Sequence, residues 1–449
     1  MKDSDELNRR LRELREALDE GMLKSARRLV NRLHPADIAL LLESLPLGQR
    51  RLLWGLVDPE SEGDILVELH EDVQQSLIGE MDEEELVAAA ERLELDDLAD
   101  LLGSLPETVT QQVLRSLDQQ DRDRLSAVLA FPEDSAGGLM NPDTVSVRPD
   151  VTLDVVLRYL RMRGDLPART DALAVVDRHD RYVGMLSLTR LLTEDGERTV
   201  SEVLDASITP IAPETSAHDV SLLFQGRDLL SAPVVDREGR LLGRITIDDV
   251  VDVIREEAEH PLMGLAGLDD EADVFGGAVR SARRRSIWLG INLATAFLAS
   301  WVVGLFDAAI EQVVVLAVLM PVVASMGGVA GTQTVTLIIR GLALGQVQDA
   351  NARSLLLKEL AVGALNGLLW ATVVSLVTWL WFGRWEVAAV LAAAMLINLC
   401  AAGMAGVLVP LALRRLRVDP ALAGGVVLTT VTDCVGFAAL LGLGTWFLI

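Results

Sequence analysis

The chain has 449 residues, half of them apolar, with 66 acids against 40 bases and a formal net charge of −26. Two solvents are implied, because residues 1–279 hold 59 acids and 29 bases, whereas 280–449 hold 7 acids, 11 bases and nearly all the long uncharged runs. A soluble part this acidic argues against nucleic-acid binding, which needs clustered Lys and Arg, and leaves cations as partners, with a merely solvated acidic surface as the plain alternative.

The opening "MKDSDELNRRLREL" is charged and helical in pattern, unlike a cleavable signal, and places the start of the chain in the cytoplasm. Residues 1–130 carry a repeat, "ADIALLLESLP" (36–46) and "DDLADLLGSLP" (96–106), with leucines at helical spacing and a proline closing each unit. This pattern predicts an all-α domain of stacked helices with an acidic surface. After "FPEDSAGGLMNP" a second repeat begins, "ALAVVDRHDRYVGMLSLTRLL" (172–192) and "SAPVVDREGRLLGRITIDDVV" (231–251). Each copy reads as strand, Asp/Gly turn, strand and helix, so residues 131–258 are predicted to be an α/β pair burying their sheet faces together, in the manner of tandem CBS (cystathionine-β-synthase-type) modules.

Five stretches then exceed the roughly 20 helical residues that cross about 30 Å of hydrocarbon: 286–306, 312–339, 360–383, 387–413 and 421–449. Basic residues flank them on one side (Arg280, Arg283, Arg284, Arg285; Arg340, Arg353, Lys358; Arg414, Arg415, Arg417), against only Arg384 on the other. The positive-inside tendency therefore puts the N-terminus in the cytoplasm and the C-terminus outside, with Trp288, Trp381, Trp385 and Trp446 near segment ends. Cys400 and Cys434 both lie in the apolar part, which disfavours a disulfide framework or a cysteine-based zinc site.

Only the last stretch contains an acid, Asp433. It lies about 18 Å along its helix from Ala421, at mid-depth, where a charged side chain needs a partner or a watery path. Gly425, Thr429 and Asp433 recur every fourth residue, as do Gly328, Thr332 and Thr336 in the second stretch, so each set lies along one helix face. Close packing through small residues is the competing explanation of these stripes.

In this order the pieces resemble the MgtE family of magnesium channels and transporters. "LHPADIALLLESLP" and "FPEDSAGGLMNP" resemble its N domain, the tandem repeat its CBS pair, and "DEADVFGGAVRSARRRSIWLGINL" its connecting plug helix; "GGVAGTQTVTLIIRGLALG" and "TTVTDCVGF" resemble its pore signatures. The resemblance implies a plug helix over 259–285 joined to a five-helix pore domain over 286–449, in a homodimer with one central pore. It further implies import of Mg2+ through that pore and closure when cytosolic Mg2+ is plentiful. Asp433 would hold a hydrated ion, with Gly328, Thr332, Thr336, Gly425 and Thr429 lining the path. Asp96, Asp97, Asp248, Asp249, Asp252, Glu256, Glu257 and Asp419 would be the regulatory acids that divalent ions bridge. "GRITIDD" carries the adenosine-binding pattern (Gly243, Thr246, Asp249), whereas the first unit has Arg190 at the Asp position, so ATP at one site per subunit and an empty structural cleft both stand as readings.

Three departures bear on this. Val329 stands where the family usually has Asn, His260 and Pro261 where further acids are usual, and His218 where Glu is frequent. A conduit for Co2+ or Mn2+, and a nucleotide-sensing receptor whose helices only anchor CBS modules, remain alternatives. No nucleophile-base pair or Walker loop suggests an enzyme.

Overall fold

The structure is a computed structural model that describes residues 9, 14, 16, 22–268, 273–348 and 350–449. The chain divides into two compact units, 1–256 with 271–277, and 257–270 with 278–449.

From residue 22 the described part of the first unit holds nine short helices before the first strand: α1 (Leu23–Val30), α2 (Pro35–Glu43), α3 (Leu47–Trp54), α4 (Glu62–Val67), α5 (Glu71–Ile78), α6 (Glu83–Ala90), α7 (Leu95–Ser104), α8 (Glu107–Ser116) and α9 (Gln119–Val128). The two copies of the 60-residue repeat become α2 and α7, each burying its leucines (Leu41 and Leu42; Leu101 and Leu102) in one core. Many acids of this region stand in first turns, such as Asp64, Asp72, Glu85 and Asp97, where they favour the positive end of the helix dipole. Asp82 and Glu85 close a reciprocal capping box on α6.

The CBS-like pair follows as β1 (Ser146–Val147), α10 (Leu153–Arg163), β2 (Ala172–Val176), β3 (Tyr182–Ser187), α11 (Leu188–Thr193), α12 (Val200–Val203), α13 (Ala217–Arg227), β4 (Ser231–Val235), β5 (Leu241–Thr246) and α14 (Ile247–Leu265). β1 runs parallel to β2, which pairs antiparallel with β3, and β4 with β5 form the second sheet. The repeat extends to single atoms. Asp177 and Asp236 each accept two backbone N–H bonds across their turns, and a Cβ on Gly184 or Gly243 would strike the carbonyl of Asp205 or Asn141 at 2.8 and 2.7 Å. Leu241 joins Ala172, Ala174, Met185 and Tyr182 in one apolar cluster, so the two sheets face each other.

The expected single connecting helix over 259–285 is not what the described residues form. α14 continues through Pro261 to Leu265, the chain turns at Gly267 with φ +66°, and a new helix starts at Ala278. Residues 269–272 lie outside the described residues. Asp273, in the returning stretch of the first unit, is held by the buried Arg50 at 2.8 and 3.1 Å.

Among the described residues the second unit holds five helices long and apolar enough to cross a membrane: α15 (Ala278–Gly304), α17 (Val315–Ala343), α18 (Ala352–Phe382), α19 (Trp385–Arg415) and α20 (Pro420–Leu448), with the short α16 (Asp307–Gln312) after the first. α19 is the hub, the most buried of the five, packing against α17, α18 and α20. On α18 a stripe at every fourth position, Glu359, Gly363, Gly367 and Ala371, is buried, and a Cβ on Gly363 would sit 2.6 Å from the Leu399 carbonyl. Small residues let the two backbones approach this closely. α15 buries only Ala299. The whole is a multidomain, mainly helical chain with an α-helical N domain, an α/β CBS pair and five candidate membrane spans.

Candidate functional site

α17 and α20 face one groove of about 490 Å3, lined by Ala324, Ser325, Gly328, Val329, Thr332, Gln333, Thr429 and Asp433. Four residues of the two sequence stripes therefore meet: Gly328 and Thr332 from one, Thr429 and Asp433 from the other. Thr336 and Gly425 occupy the same stripes one turn further on and do not line the groove. Ala324, Ser325 and Gln333 were not anticipated, although Ala324 is four residues before Gly328 and the period pointed to it.

The groove is chemically one-sided. Thr332 Oγ1 donates to the Gly328 carbonyl at 2.8 Å, Thr336 Oγ1 to that of Thr332 at 2.8 Å, and Thr429 Oγ1 to that of Gly425 at 2.9 Å. Each hydroxyl proton is thus spent inside its own helix, and what remains to face outward are oxygen lone pairs. Asp433, the fourteenth of 29 residues in α20, meets no hydrogen-bond donor or basic group among the described residues. Apart from the Gln333 amide and the Ser325 hydroxyl, the polar side chains of the lining can only accept. Such a surface suits a cation or the hydrogens of its water shell. Val329 is 56% exposed on it, an apolar side chain where an amide was expected.

A second acid on a candidate span was missed. Glu359 is 5% exposed, with Thr334 Oγ1 at 3.2 Å and Lys358 Nζ at 3.0 Å. It sat just outside the apolar run counted as a span, and its four-residue phase with Gly363 and Gly367 was the available signal.

At the membrane-unit end of α14, Gly264 packs on Ala421, and Leu265 shares an apolar cluster with Val335, Ala421 and Leu428. His260 Nε2 lies 2.9 Å from Asp419 Oδ2, while Asp419 Oδ1 caps α20 by accepting from Ala421 N at 2.8 Å. Asp419 and Glu257 thus belong to the second unit and are not part of the acidic cluster of the first.

That cluster gathers at the N-termini of α7 and α14. Burial first, then Asp96 and Glu94, pushes Asp97 up to about 7; burial, then Asp248 and Asp96, pushes Asp249 up to about 8. Asp96 is raised by burial, with Asp248 adding to it, and Glu94 by burial and Asp96. Asp252 is exposed, 3.8 Å from Arg255. Asp100 is pushed up to about 7 by burial first, then by Glu133, Asp97 and Asp96, with Glu256 adding the smallest part. Glu94, Asp100 and Arg169, whose Nη1 lies 2.6 Å from Asp248 Oδ2, were not foreseen. Among the described residues no three His, Cys, Asp or Glu converge tightly enough to chelate an ion directly. The cluster is a repulsive field with hard oxygen donors, which a divalent ion would relieve through its retained waters.

In the second CBS unit Thr246 donates both its N–H (3.2 Å) and its hydroxyl (3.0 Å) to Asp249 Oδ2, and its hydroxyl also touches Asp248. Gly243 lies against Asn141 behind them. In the first unit Arg190 takes the Asp position and turns its guanidinium to the Val203 carbonyl at 2.7 Å, so it offers no acceptor.

Comparison with known proteins gives a consistent result. Residues 320–443 match the MgtE family model, described as a divalent cation transporter, residues 33–134 the MgtE intracellular N domain, and residues 136–197 and 200–256 the CBS domain. The chain is 32% identical over 428 residues to a magnesium transporter MgtE of Thermus thermophilus, covering 94% of this chain and 95% of that one. A magnesium transporter MgtE of Bacillus subtilis is 26% identical over 431 residues, covering 96% of each. The cytosolic domain of the Mg2+ channel MgtE, solved in complex with ATP, is 33% identical with a TM-score of 0.48, covering 54% of this chain and 98% of that one.

Proposed function

Because the chain belongs to the MgtE family of divalent cation transporters, and is on that account a multi-pass membrane protein with a transport function rather than an enzyme, we propose that it is a homodimeric channel importing Mg2+ across the cytoplasmic membrane and closed by cytosolic Mg2+. One observation carries the reading: a groove rich in acceptor oxygens around Asp433, halfway along α20, with no basic side chain in its lining to neutralise it. A single protomer leaves Thr332, Gln333, Thr336 and Thr429 exposed along helices of this apolarity, and a second copy across a two-fold axis would enclose them. Two Asp433 carboxylates would then hold one hydrated Mg2+, the transported substrate, through its water shell. An inward path needs no other energy source, since each charge gains about 2.3 kcal/mol per 100 mV of membrane potential.

Regulation follows from the same chemistry. Mg2+ bound among Asp96, Asp97, Asp248, Asp249, Asp252 and Glu256 would offset their repulsion and favour one arrangement of α14. That helix carries three of these acids at its start and packs on α20 at its end. A ligand shifts such an equilibrium only by its difference in affinity for the two states. Glu257 and Asp419 would act at the far end, where His260 already approaches Asp419. The N-terminus would be cytoplasmic and the C-terminus outside, as the odd number of spans and the basic flanks suggest. Thr246 and Asp249, with Gly243 behind them, fit the ribose of one nucleotide such as ATP per subunit, while Arg190 excludes a matching second site. Val329 favours a second reading, a broader conduit that also passes Mn2+ or Co2+, because an apolar side chain on the groove removes one amide able to order the hydration shell.

The test is ion uptake into proteoliposomes by native protein and Asp433→Ala, with Mg2+, Mn2+ and Co2+ in turn. Native uptake of Mg2+ that the variant loses supports the reading; equal flux in both sinks it.

A further inference from the structure

Behind the groove lies a polar residue that the pore chemistry does not use. Asn398, on the hub helix α19, is fully buried and donates from Nδ2 to the Val323 carbonyl of α17 at 2.9 Å. Its Oδ1 finds no hydrogen-bond partner among the described residues. An amide buried in the membrane core with one end unsatisfied is unfavourable, and an apolar side chain there would avoid that loss. Packing alone does not account for it.

The two pore helices make room for this amide at the same level. A Cβ on Gly327 of α17 would fall 2.2 Å from Asn398 Nδ2, and one on Gly436 of α20 would fall 2.7 Å from the same atom. Gly327 immediately precedes Gly328 of the groove, and Gly436 lies three residues, less than one turn, beyond Asp433. One side chain of α19 therefore touches α17 on the side away from the groove residues and α20 within one turn of Asp433. Of the groove's own lining, Gln333 carries an amide and Val329 does not.

We infer that Asn398 is a positioning residue for ion discrimination, its amide serving as the spacer and hydrogen-bonded joint that fixes how far the Gly328–Thr332 face stands from Asp433. This rests on the reading of the groove as the cation path. A path that recognises a hydrated ion through acceptor oxygens discriminates by the distance between those oxygens, so a joint that sets the distance sets the preference among Mg2+, Ca2+ and Mn2+.

The experiment measures concentration-dependent uptake of Mg2+ and Ca2+ by the full chain in proteoliposomes for native protein, Asn398→Ala, Gly436→Ala and the double variant, with thermal stability in detergent recorded alongside. Both single variants are expected to raise the KM for Mg2+ and to lower the Mg2+/Ca2+ preference by about three- to tenfold, with the maximal rate changed less. The double variant is expected to be no worse than Asn398→Ala, because the Cβ on Gly436 then enters space that the amide has left. Native KM and preference in the single variants, with only a lowered thermal midpoint, would overturn the inference and leave Asn398 as packing. If Asn398→Ala fails to assemble, Gly436→Ala decides alone by the same criteria. Failure of the native protein to carry any cation by way of Asp433 would instead strike the reading of the groove, and so is distinguishable.

Discussion

At the scale of single residues, the groove works by what its hydroxyls no longer donate. Thr332 and Thr429 are tied by their protons to carbonyls four residues back and show lone pairs to the groove. Replacing Thr332 by Val keeps the shape and removes the acceptor, so Mg2+ uptake should fall about three- to tenfold, an effect of the order of one net hydrogen bond, here to a water of the ion's shell. Thr430, whose hydroxyl bonds the Val426 carbonyl at 2.7 Å outside the groove lining, is the control, and Thr430→Val should conduct as the native protein does. Equal loss in both variants would mean that the hydroxyls matter only to the helices. Four groove residues were legible because a four-residue period within one helix is written in the sequence. Asn398, Glu359 and Arg169 were not, since what a buried amide or an arginine meets depends on which element lies opposite, and no period along one helix encodes that. Arg244 makes the same point. It is 2% exposed, with Nη2 on the Ala168 carbonyl at 2.6 Å, and nothing in "LLGRIT" distinguishes it from a surface arginine.

At the scale of elements, hydropathy located all five spans but not their ends. The third was expected over 360–383 and runs Ala352–Phe382, because counting stopped at Lys358 and Glu359 whereas the helix continues past them, Lys358 exposed and Glu359 turned inward. The connector failed differently: a glycine in the left-handed region at Gly267 interrupts what the family resemblance implied to be one helix. The α18–α19 contact gives a direct test of backbone proximity. Gly363→Val would force a side chain onto the Leu399 carbonyl and should destabilise the second unit by about 1–3 kcal/mol, whereas Gly290→Val on α15, with nothing within 4 Å of its Cβ position, should leave the melting of purified protein unchanged. Equal losses would show that the sites differ in lipid contact and not in helix packing.

At the scale of the whole molecule, the acidic surplus becomes a dependence on both protons and divalent ions. Asp97 and Asp249 are held at about 7 and about 8, against an ordinary value of 3.8. A carboxyl raised by folding binds its proton more tightly in the fold than in the unfolded chain. Its stabilisation is complete below pH of about 4 and is lost as pH rises through the folded values, so the first unit should weaken between about pH 4 and pH 8. Mg2+ that binds the ionised cluster only in the folded arrangement would restore what deprotonation removes, by mass action. Hydrogen exchange of the full-length protein, corrected for intrinsic rates, should therefore show α7 and the start of α14 less protected at about pH 8 than at about pH 6 without Mg2+, and equally protected when Mg2+ is present. Asp97→Asn with Asp249→Asn should flatten both dependences together, because the two acids carry the raised values and the proposed metal donors at once. Protection that follows pH in the double variant as in the native protein would assign the effect to other groups and leave the acidic face as a solvated surface. Protection that follows pH but ignores Mg2+ would keep the electrostatic cluster and remove its role as a sensor.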